Sequence, residues 1–353
     1  MILDTYTISK EESERINCMK FIAIVFVVYI HSYAVDVNFA DGTKTLYLPK
    51  WLLLFEELIS QTISRCGVPL FFLISSILLF KKQRNYTETI KGKIKTHLLP
   101  YVIWNSIWIL VFILLQELRC TAPYFSGHHT PILQCSFSEW LNLYGIGWNL
   151  PHPQDYPLWF MRDLMIVTLI FPIIEKVADR VPKLLFIGVT ILLLLPVDFP
   201  LKQALLWFSL GAVIVKLQIH ITLVDKYSML KLSLAYMLGA LISLFAESSA
   251  INVLFIFFGI IYWTRVTKCI FDFPKCKAVF LRMSKWTFII YVAHEMTLSS
   301  LKKICFKLLP TKPAWLLLEY ILLPITVIMG CSILGAAFKK IAPKAYAIST
   351  GER

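Results

Sequence analysis

Charged residues are scarce in this sequence of 353 residues. They make up 16% of it, whereas hydrophobic residues make up 58% and the mean hydropathy is +0.68. This scarcity excludes an ordinary soluble globular protein, in which about 25% of residues are charged. Because long apolar runs recur along the whole chain, the composition indicates a polytopic membrane protein rather than a soluble enzyme with a single anchor.

The sequence also lacks closely paired cysteines. None of its eight cysteines forms a C-x-x-C pair, which argues against a zinc or redox motif. Cys120 and Cys135 share one polar loop and could form a disulfide if that loop lies outside the cell. No internal repeat, low-complexity tract or second soluble domain is visible. We therefore predict one integral membrane domain over residues 1–345, followed by a tail at 346–353.

The first apolar run differs from a cleaved signal peptide. It has no small-residue cleavage site, and three acidic residues precede it, namely Glu11, Glu12 and Glu14. We expect this run to remain in the protein as its first membrane span.

The apolar runs predict about ten transmembrane helices. A hydrocarbon core about 30 Å thick requires about 20 helical residues. Only helices or closed barrels satisfy the backbone in lipid, and these runs are too long for barrel strands. The expected fold is therefore all-α, a polytopic membrane helical bundle. The predicted spans are 19–36, 62–80, 97–117, 157–175, 183–198, 200–218, 229–246, 250–265, 285–302 and 314–338.

Positive charge is concentrated in short loops. The net charge of +13 therefore indicates membrane topology and not nucleic-acid binding. Loops 81–96 and 265–285 are rich in Lys and Arg, which places both on the cytoplasmic side. Alternation then predicts that both termini are cytoplasmic and that loop 118–156, with Arg119 as its single basic residue, is outside. The exception is 302–313, which is predicted outside although it contains four lysines.

The first span has an ionisable residue at each end of its apolar run. Lys20 and His31 are eleven residues apart, so in a helix both side chains point in nearly the same direction, roughly 16 Å apart. Histidine titrates near neutral pH and suits general-base chemistry, although a hydrogen bond to a neighbouring helix would also explain His31. Lys20 alone would be explained as an interfacial anchor.

Polar residues also mark the second span and the basic loop after it. Pro69 interrupts the backbone hydrogen bonds of the second span, and Ser75 offers a small polar contact between helices. Arg65 is either an interfacial anchor or a cation of a pocket. The basic loop is either purely topogenic or a phosphate-binding edge, for which Lys93 and Lys95 are competent point charges.

Further ionisable residues lie within the fourth and ninth spans. Arg162 and Asp163 follow Trp159 by one turn and lie near the predicted depth of His31. Adjacent helical residues do not face each other, so these two need separate partners, and a buried ion-pair network would explain them structurally. His294 lies near the middle of the ninth span. Ionisable groups at this depth are costly and indicate a functional site.

Five ordered blocks resemble the acyltransferase-3 family of integral membrane O-acyltransferases, in the manner of glycan O-acetyltransferases. The first span of that family contains Arg, ten residues and His, and this sequence has Lys20 and His31 at the same spacing. The motif V-P-L-F-F-x-x-S-G of the second span corresponds to residues 68–76, where Ser76 replaces glycine.

The later blocks follow in the same order. An R-x-x-R run leading to P-Y-x-x-W corresponds to residues 93–104, where Lys93 and Thr96 replace the arginines. The motif L-W-F-x-R-D-L corresponds to residues 158–164, and Y-x-x-H corresponds to Tyr291 and His294. The resemblance covers about residues 15–300. The departures from the pattern imply altered donor affinity or a diverged, inactive member.

The resemblance implies a bacterial inner (plasma) membrane enzyme that transfers an acyl group, usually acetyl from cytoplasmic acetyl-CoA. The acceptor would be a hydroxyl of a cell-surface glycan or of its lipid-linked precursor. The implied partners are acyl-CoA, this acceptor and membrane lipids, without a metal and without nucleic acid. The predicted donor-binding residues are Lys20, Arg65, Ser75, Lys93, Lys95 and Trp159.

Four residues are the predicted catalytic group. His31 would act as general base on the acceptor hydroxyl or transiently carry the acyl group. Arg162 would orient the acceptor or stabilise the oxyanion, and Asp163 would hold a neighbouring cation or histidine. His294 would be an orienting partner or a second proton carrier. Loop 118–156 would contact the acceptor through polar residues that include His128, His129, His152 and Asp155.

Two other functions are compatible with the residues alone. A transporter or flippase of a small anion or lipid-linked sugar would also place His, Arg and Asp at the membrane midplane, but it would not depend on acyl-CoA. A non-catalytic membrane partner would keep the fold and would neither bind nor turn over acyl-CoA.

Overall fold

The computed structural model describes residues 6–33, 36–39, 42–81, 85–125 and 131–351. His128 and His129, which were expected to contact the acceptor, lie outside the described residues. The regular secondary structure of the described residues is helical apart from one antiparallel hairpin, so the expected all-α fold is confirmed in its main feature. In the hairpin, β1 (Asp36–Phe39) pairs with β2 (Gly42–Thr45), and Asp36 lies opposite Thr45.

The helices of the first half of the chain are α1 (Lys10–Ser32), α2 (Lys50–Glu56), α3 (Gly67–Phe80), α4 (Tyr86–Lys93), α5 (Leu99–Glu117), α6 (Ala122–Phe125), α7 (Phe137–Leu143), α8 (Trp159–Leu169) and α9 (Phe171–Arg180). Those of the second half are α10 (Pro182–Leu194), α11 (Lys202–Lys216), α12 (Met229–Phe245), α13 (Ser249–Asp272), α14 (Pro274–Ser284), α15 (Thr287–Leu308), α16 (Pro313–Ile341) and α17 (Pro343–Thr350).

The chain forms two compact units. The first unit comprises Met1–Ile30, Glu57–Lys91 and Asp163–Thr287. The second unit comprises His31–Glu56, Gly92–Arg162 and Phe288–Arg353. Each unit therefore combines segments that are far apart in the sequence.

Several helices are long and apolar enough to cross a membrane, as expected of a multi-pass membrane protein. In the described part of the chain five qualify, and a sixth span results if the pair Tyr156–Leu169 and Phe171–Arg180, bent by 62°, is counted as one. The five are Lys10–Ser32, Lys50–Phe80, Tyr86–Glu117, Ser249–Asp272 and Pro313–Ile341. The four remaining predicted spans correspond to α10, α11, α12 and α15, so the total of ten and the cytoplasmic termini stay predictions.

The second span is continuous through Pro69. A π-helical segment (Glu57–Thr62) and a 3-10 turn (Ile63–Cys66) join α2 to α3. Pro69 lies in the first turn of α3, directly after the 3-10 turn. The helix is irregular in the turns directly before Pro69, which is where a proline is expected to disrupt the helical hydrogen bonds.

Close packing of α3 and α11 builds part of the core of the first unit. The Ser76 hydroxyl donates a hydrogen bond to the Phe208 carbonyl oxygen at 2.5 Å. A Cβ atom added to Gly211 would lie 2.5 Å from the Cβ of Ser76. The serine that replaces the family's glycine is thus accommodated by a glycine on the facing helix.

A buried arginine links distant parts of the first unit. Arg15 is fully buried, and its guanidinium binds both carboxylate oxygens of Asp225 at 2.7 and 2.9 Å. It also donates to the Thr267 hydroxyl and to the Thr264 carbonyl on α13. A buried cation requires such pairing, because an unpaired one would lose its hydration without compensation.

Cys120 and Cys135 are free thiols in the structure, so it contains no bridge between them. The Cys135 Sγ lies 3.8 Å from the Pro131 carbonyl oxygen, which it meets as a weak donor.

Candidate active site

His31 and His294 lie side by side in the second unit. His31 is in the last turn of α1 and His294 is in α15. Their ring centroids are 5.2 Å apart, and the rings are inclined by 63° in an edge-to-face arrangement. The fold therefore brings together two of the four predicted catalytic residues, although 263 positions separate them in the sequence (294 − 31).

Hydrogen bonding fixes the tautomer of His294. Its Nδ1 lies 3.0 Å from the carbonyl oxygen of Ile290 and 2.9 Å from that of Tyr291. Because both partners are acceptors, Nδ1 must carry the proton. His294 is fully buried, and its Nε2 has no hydrogen-bond partner among the described residues. In the neutral ring this Nε2 holds a lone pair, so it can accept a proton or a hydrogen bond.

Tyr156 and His152 extend the histidine pair. The Tyr156 ring lies 5.7 Å from the His31 ring and 4.5 Å from the His152 ring, measured between centroids. We call His31, His152, Tyr156 and His294 the aromatic cluster. Every member carries a group that can exchange protons, so the cluster suits proton transfer.

Two hydrogen bonds hold α15 in position beside this cluster. The Tyr291 hydroxyl donates to the Pro157 carbonyl at 2.7 Å. The Trp108 indole on α5 donates to the Val292 carbonyl, also at 2.7 Å. The tyrosine of the Y-x-x-H motif therefore fixes the segment that follows Tyr156, while the histidine of the motif lies beside His31.

The loop predicted outside folds back onto α5. The Tyr101 hydroxyl donates to the Tyr144 carbonyl, and the Asn105 amide donates to the Leu143 carbonyl at 2.8 Å. Asn105 is fully buried, and its Oδ1 accepts the Asp155 backbone N–H at 3.0 Å. Asn105 lies about 9 Å along α5 from Leu99, so this end of the loop reaches deep along the helix.

Asp155 is a buried carboxyl group next to the aromatic cluster. Its side chain is 1% exposed, and Oδ2 has no hydrogen-bond partner in the described ranges. Burial, with a smaller contribution from the negative charge of Glu295, raises the pKa of Asp155 well above its ordinary value. The raised pKa means that Asp155 keeps its proton to a higher pH than an ordinary aspartate does.

Arg162 binds the loop before Tyr156. Its Nη1 donates to the carbonyl oxygens of Gly145, Leu150 and Pro151, at 3.2, 3.0 and 2.5 Å. Gly145 has φ +67°, and an added Cβ would lie 3.1 Å from this nitrogen, so the site requires glycine. Arg162 thus has a clear positioning contact, while its predicted action on the acceptor or the oxyanion is untested.

Asp163 of the predicted catalytic group and Trp159 of the predicted donor site lie on α8, shortly after Tyr156. Asp163 is buried and belongs to the first unit, whereas Arg162 belongs to the second. Trp159 begins α8 in the second unit. The sequence-based roles of Asp163 and Trp159 stay predictions.

The basic edge of the second unit contains a chain of side-chain contacts. Lys93 Nζ lies 3.5 Å from His97 Nε2. His97 Nδ1 lies 2.8 Å from the Thr96 hydroxyl, which itself donates to the Gly92 carbonyl. Because the Thr96 hydroxyl donates its proton to the Gly92 carbonyl, it accepts the hydrogen bond from His97 Nδ1–H. The other ring nitrogen of His97, Nε2, then faces the Lys93 ammonium. Thr96 therefore organises His97 beside Lys93, and Lys95 is exposed.

Three predicted donor residues belong to the first unit. Lys20 lies on α1 within hydrogen-bond distance of Asn17, Arg65 is exposed and bonded to Gln61, and Ser75 is half-buried on α3. Their assignment to an acyl-CoA site is untested. No group of three or more His, Cys, Asp or Glu suited to a metal ion occurs among the residues that the structure describes.

Sequence patterns did not single out Asn105 or Tyr156. Asn105 is an uncharged polar residue directly after the P-Y-x-x-W block, inside an apolar span, and this position was a usable signal. Tyr156 offered no such signal, because a tyrosine beside a predicted membrane interface is ordinary.

The comparisons with known proteins agree with the motifs. The family model for an acyltransferase domain, acyltransferase-3, matches residues 13–337. The succinoglycan biosynthesis protein ExoH of Rhizobium meliloti (strain 1021) is 26% identical over 223 residues, which cover 61% of this chain and 57% of that protein. The chain thus matches little more than half the length of this curated relative, and no solved structure matches it. The family match covers nearly the whole chain, and the chain belongs to the acyltransferase-3 family.

Proposed function

We propose that this acyltransferase moves an acetyl group from cytoplasmic acetyl-CoA to a hydroxyl of a cell-surface glycan or of its lipid-linked precursor. The site of action is the bacterial inner membrane. Family membership supports acyl transfer, and the name of the relative, a succinoglycan biosynthesis protein, supports a polysaccharide acceptor. The transporter alternative has no comparable support.

The observation that carries the proposal is the pairing of His31 with a buried His294 whose tautomer is fixed. In the proposed step His31 removes the proton of the acceptor hydroxyl as its oxygen attacks the thioester carbon. The carbon–sulfur bond then breaks, and the CoA sulfur leaves with the proton from His31. His294 acts as the second proton carrier, because its Nε2 can accept a hydrogen bond or a proton from the cluster.

The supporting residues have positioning roles in this proposal. Arg162 orders residues 145–151, and Asn105 orders Asp155 at the end of the same loop. Lys93 and Lys95 bind phosphates of the CoA moiety at the basic edge of the second unit. Lys20, Arg65, Ser75 and Trp159 are retained as candidate donor residues, and Asp163 as a candidate partner of a cation or histidine.

The test is acyl transfer by purified protein. We expect protein in nanodiscs to release CoA from radiolabelled acetyl-CoA and to transfer the label to unmodified envelope oligosaccharide. A strain lacking the protein should show an envelope glycan without the acetyl mass increment. Wild-type protein should restore the increment, and His31→Ala should not.

His220→Gln is the matched histidine control, because His220 belongs to the first unit and pairs with Glu12. It should retain transfer. Normal acylation by His31→Ala protein that is folded and inserted would refute the proposed mechanism. Wild-type protein that neither releases CoA nor restores the mass increment would refute the proposed function.

A further inference from the structure

A cavity adjoins the end of α1 within the second unit. It is an open cleft, whose cavity volume proper is about 40 Å³ and whose empty space reaches about 590 Å³ when the open solvent at its mouth is counted. Its walls come from Ser32, the segment after the hairpin, α2, the last turns of α15 and the first half of α16. Most of the lining is apolar, and a few polar side chains converge on it, which is the usual composition of a small-molecule site.

Two carboxylates and one ammonium line this cavity. Glu56 is 4% exposed, Glu319 is half-buried, and Lys302 interacts electrostatically with both. The Lys302 ammonium, however, donates its hydrogen bonds to the backbone carbonyls of His31, at 3.0 Å, and of Ser32. It therefore caps the end of the helix that carries His31.

The carboxylates are left without hydrogen-bond donors. Across the described residues, no ion pair within 4.0 Å and no hydrogen bond involves the side-chain oxygens of Glu56 or Glu319. A carboxylate as buried as that of Glu56 loses its hydration, and such a group is normally compensated by donors. A ligand that brings several hydroxyl donors would supply what the protein does not.

The charge of the site selects among ligands. Two carboxyl groups beside one lysine leave the site with no surplus positive charge, which disfavours phosphates and carboxylates and therefore the CoA moiety. Ionised carboxylates accept strong hydrogen bonds from hydroxyl groups. Tyr320 and Phe306 add flat apolar surface that can cover the C–H face of a ring. This combination fits an uncharged polyol such as a sugar residue.

We propose that this cavity is the binding site for the sugar that accepts the acyl group, with Glu56 and Glu319 as its hydroxyl-binding residues. This inference rests on the proposed function, because it assigns the acceptor side of that reaction. It also explains why a lysine is present at 302 in a loop predicted outside. Lys302 lines the cavity and holds the end of α1 at His31.

The first test is protection of a cysteine already in the cavity wall. Cys305 lines the cavity, whereas Cys276 is exposed on α14 of the first unit and serves as an internal reference. The probe is the unmodified oligosaccharide repeat of the host's surface polysaccharide, isolated from a strain lacking the protein. We expect it to slow the reaction of Cys305 with methyl methanethiosulfonate in a concentration-dependent manner and to leave Cys276 unchanged, as read by peptide mass spectrometry.

The second test is kinetic and uses the same oligosaccharide with acetyl-CoA. Glu56→Gln and Glu319→Gln should each raise the KM for the oligosaccharide by about ten-fold or more, because each weakens a hydrogen bond to a charged group. The matched control is Glu117→Gln, an exposed carboxylate at the end of α5 in the same unit, which should keep the wild-type KM.

The outcomes separate this site from the proposed function. Protection of Cys305 without any acetyl transfer would support the site and overturn the proposed function. Acetyl transfer to the oligosaccharide with no protection of Cys305, or with an unchanged KM in both glutamine variants, would overturn the site. The protection test uses wild-type protein, so a variant that fails to fold does not prevent a decision.

Discussion

Two of the four buried polar atoms without partners among the described residues lie in or beside the aromatic cluster. His294 Nε2 and Asp155 Oδ2 are two such atoms among the described residues; the other ring nitrogen of His294 bonds to backbone carbonyls, and the backbone N–H of Asp155 donates to Asn105. Buried polar groups usually find partners, so exceptions identify places where a substrate or a proton is expected. Arg162 shows the opposite case, because backbone carbonyls occupy its Nη1.

Asp155→Asn should make the stability of the protein less dependent on pH. Because burial raises the pKa of Asp155, the folded protein retains a proton that the unfolded chain releases at lower pH. The contribution of protonated Asp155 to the free energy of unfolding is therefore fully present below the ordinary aspartate pKa of about 3.9. This contribution is lost as the pH rises through the raised pKa of the folded protein. Asparagine cannot ionise, so the variant should melt at a higher temperature than wild type at pH 7, but not at pH 4.

The measurement is thermal unfolding in detergent across this pH range. Asp198→Asn is the control, since Asp198 is exposed in the loop between α10 and α11, and it should follow the wild-type curve. A wild-type-like pH dependence in Asp155→Asn would show that the carboxyl group is ionised in the folded protein.

Lys93→Ala should weaken donor binding. Removing one charge-assisted contact to phosphate is expected to raise the KM for acetyl-CoA by about ten-fold, while kcat changes little because the CoA phosphates take no part in the bond that breaks. Steady-state CoA release measures both constants. Lys91→Ala removes an exposed lysine two residues earlier and should leave KM unchanged. Equal effects of the two substitutions would point to general surface charge instead of a specific phosphate contact.

At the scale of elements, the long apolar helices could be predicted from the sequence because their hydropathy marks them directly. Residues 143–158 were not, since their path depends on hydrogen bonds to Tyr101, Asn105 and Tyr291, which no local pattern reveals. His31 and His294 could be identified by motif and depth. Their edge-to-face pairing and the tautomer of His294 required the positions of α1 and α15 and the backbone geometry of α15.

Gly211→Ala should destabilise the contact between α3 and α11. The new Cβ would approach both the Cβ of Ser76 and the Leu73 carbonyl within 3.0 Å, and neither is the end of a flexible side chain. Overpacking of this kind lowers the free energy of unfolding by about 1–3 kcal/mol. Gly188→Ala is the matched control on α10, where an added Cβ meets nothing within 4 Å. Thermal melting should fall for Gly211→Ala alone, and similar melting of both variants would contradict the close packing.

At the scale of the whole molecule, loop 302–313 departs from the rule that basic residues favour cytoplasmic loops. The contacts of its lysines explain this departure. Lys302 caps α1, while Lys303 donates to the Tyr124 carbonyl at 2.6 Å and lies over the Phe125 ring. Lys307 donates to the Tyr124 hydroxyl. Three of the four lysines are thus bound within the second unit. Their positions are accounted for by local contacts, which leaves loops 81–96 and 265–285 as the basis for the predicted orientation.

This orientation predicts that Cys120 and Cys276 lie on opposite sides of the membrane. Both are exposed, Cys120 in the loop after α5 and Cys276 in the basic segment of α14. In spheroplasts with an intact inner membrane, an impermeant maleimide should label a variant that retains only Cys120 and should spare one that retains only Cys276. Permeabilisation should expose both. Labelling of Cys276 before permeabilisation would invert the topology and would place the basic edge with Lys93 on the side away from cytoplasmic acetyl-CoA.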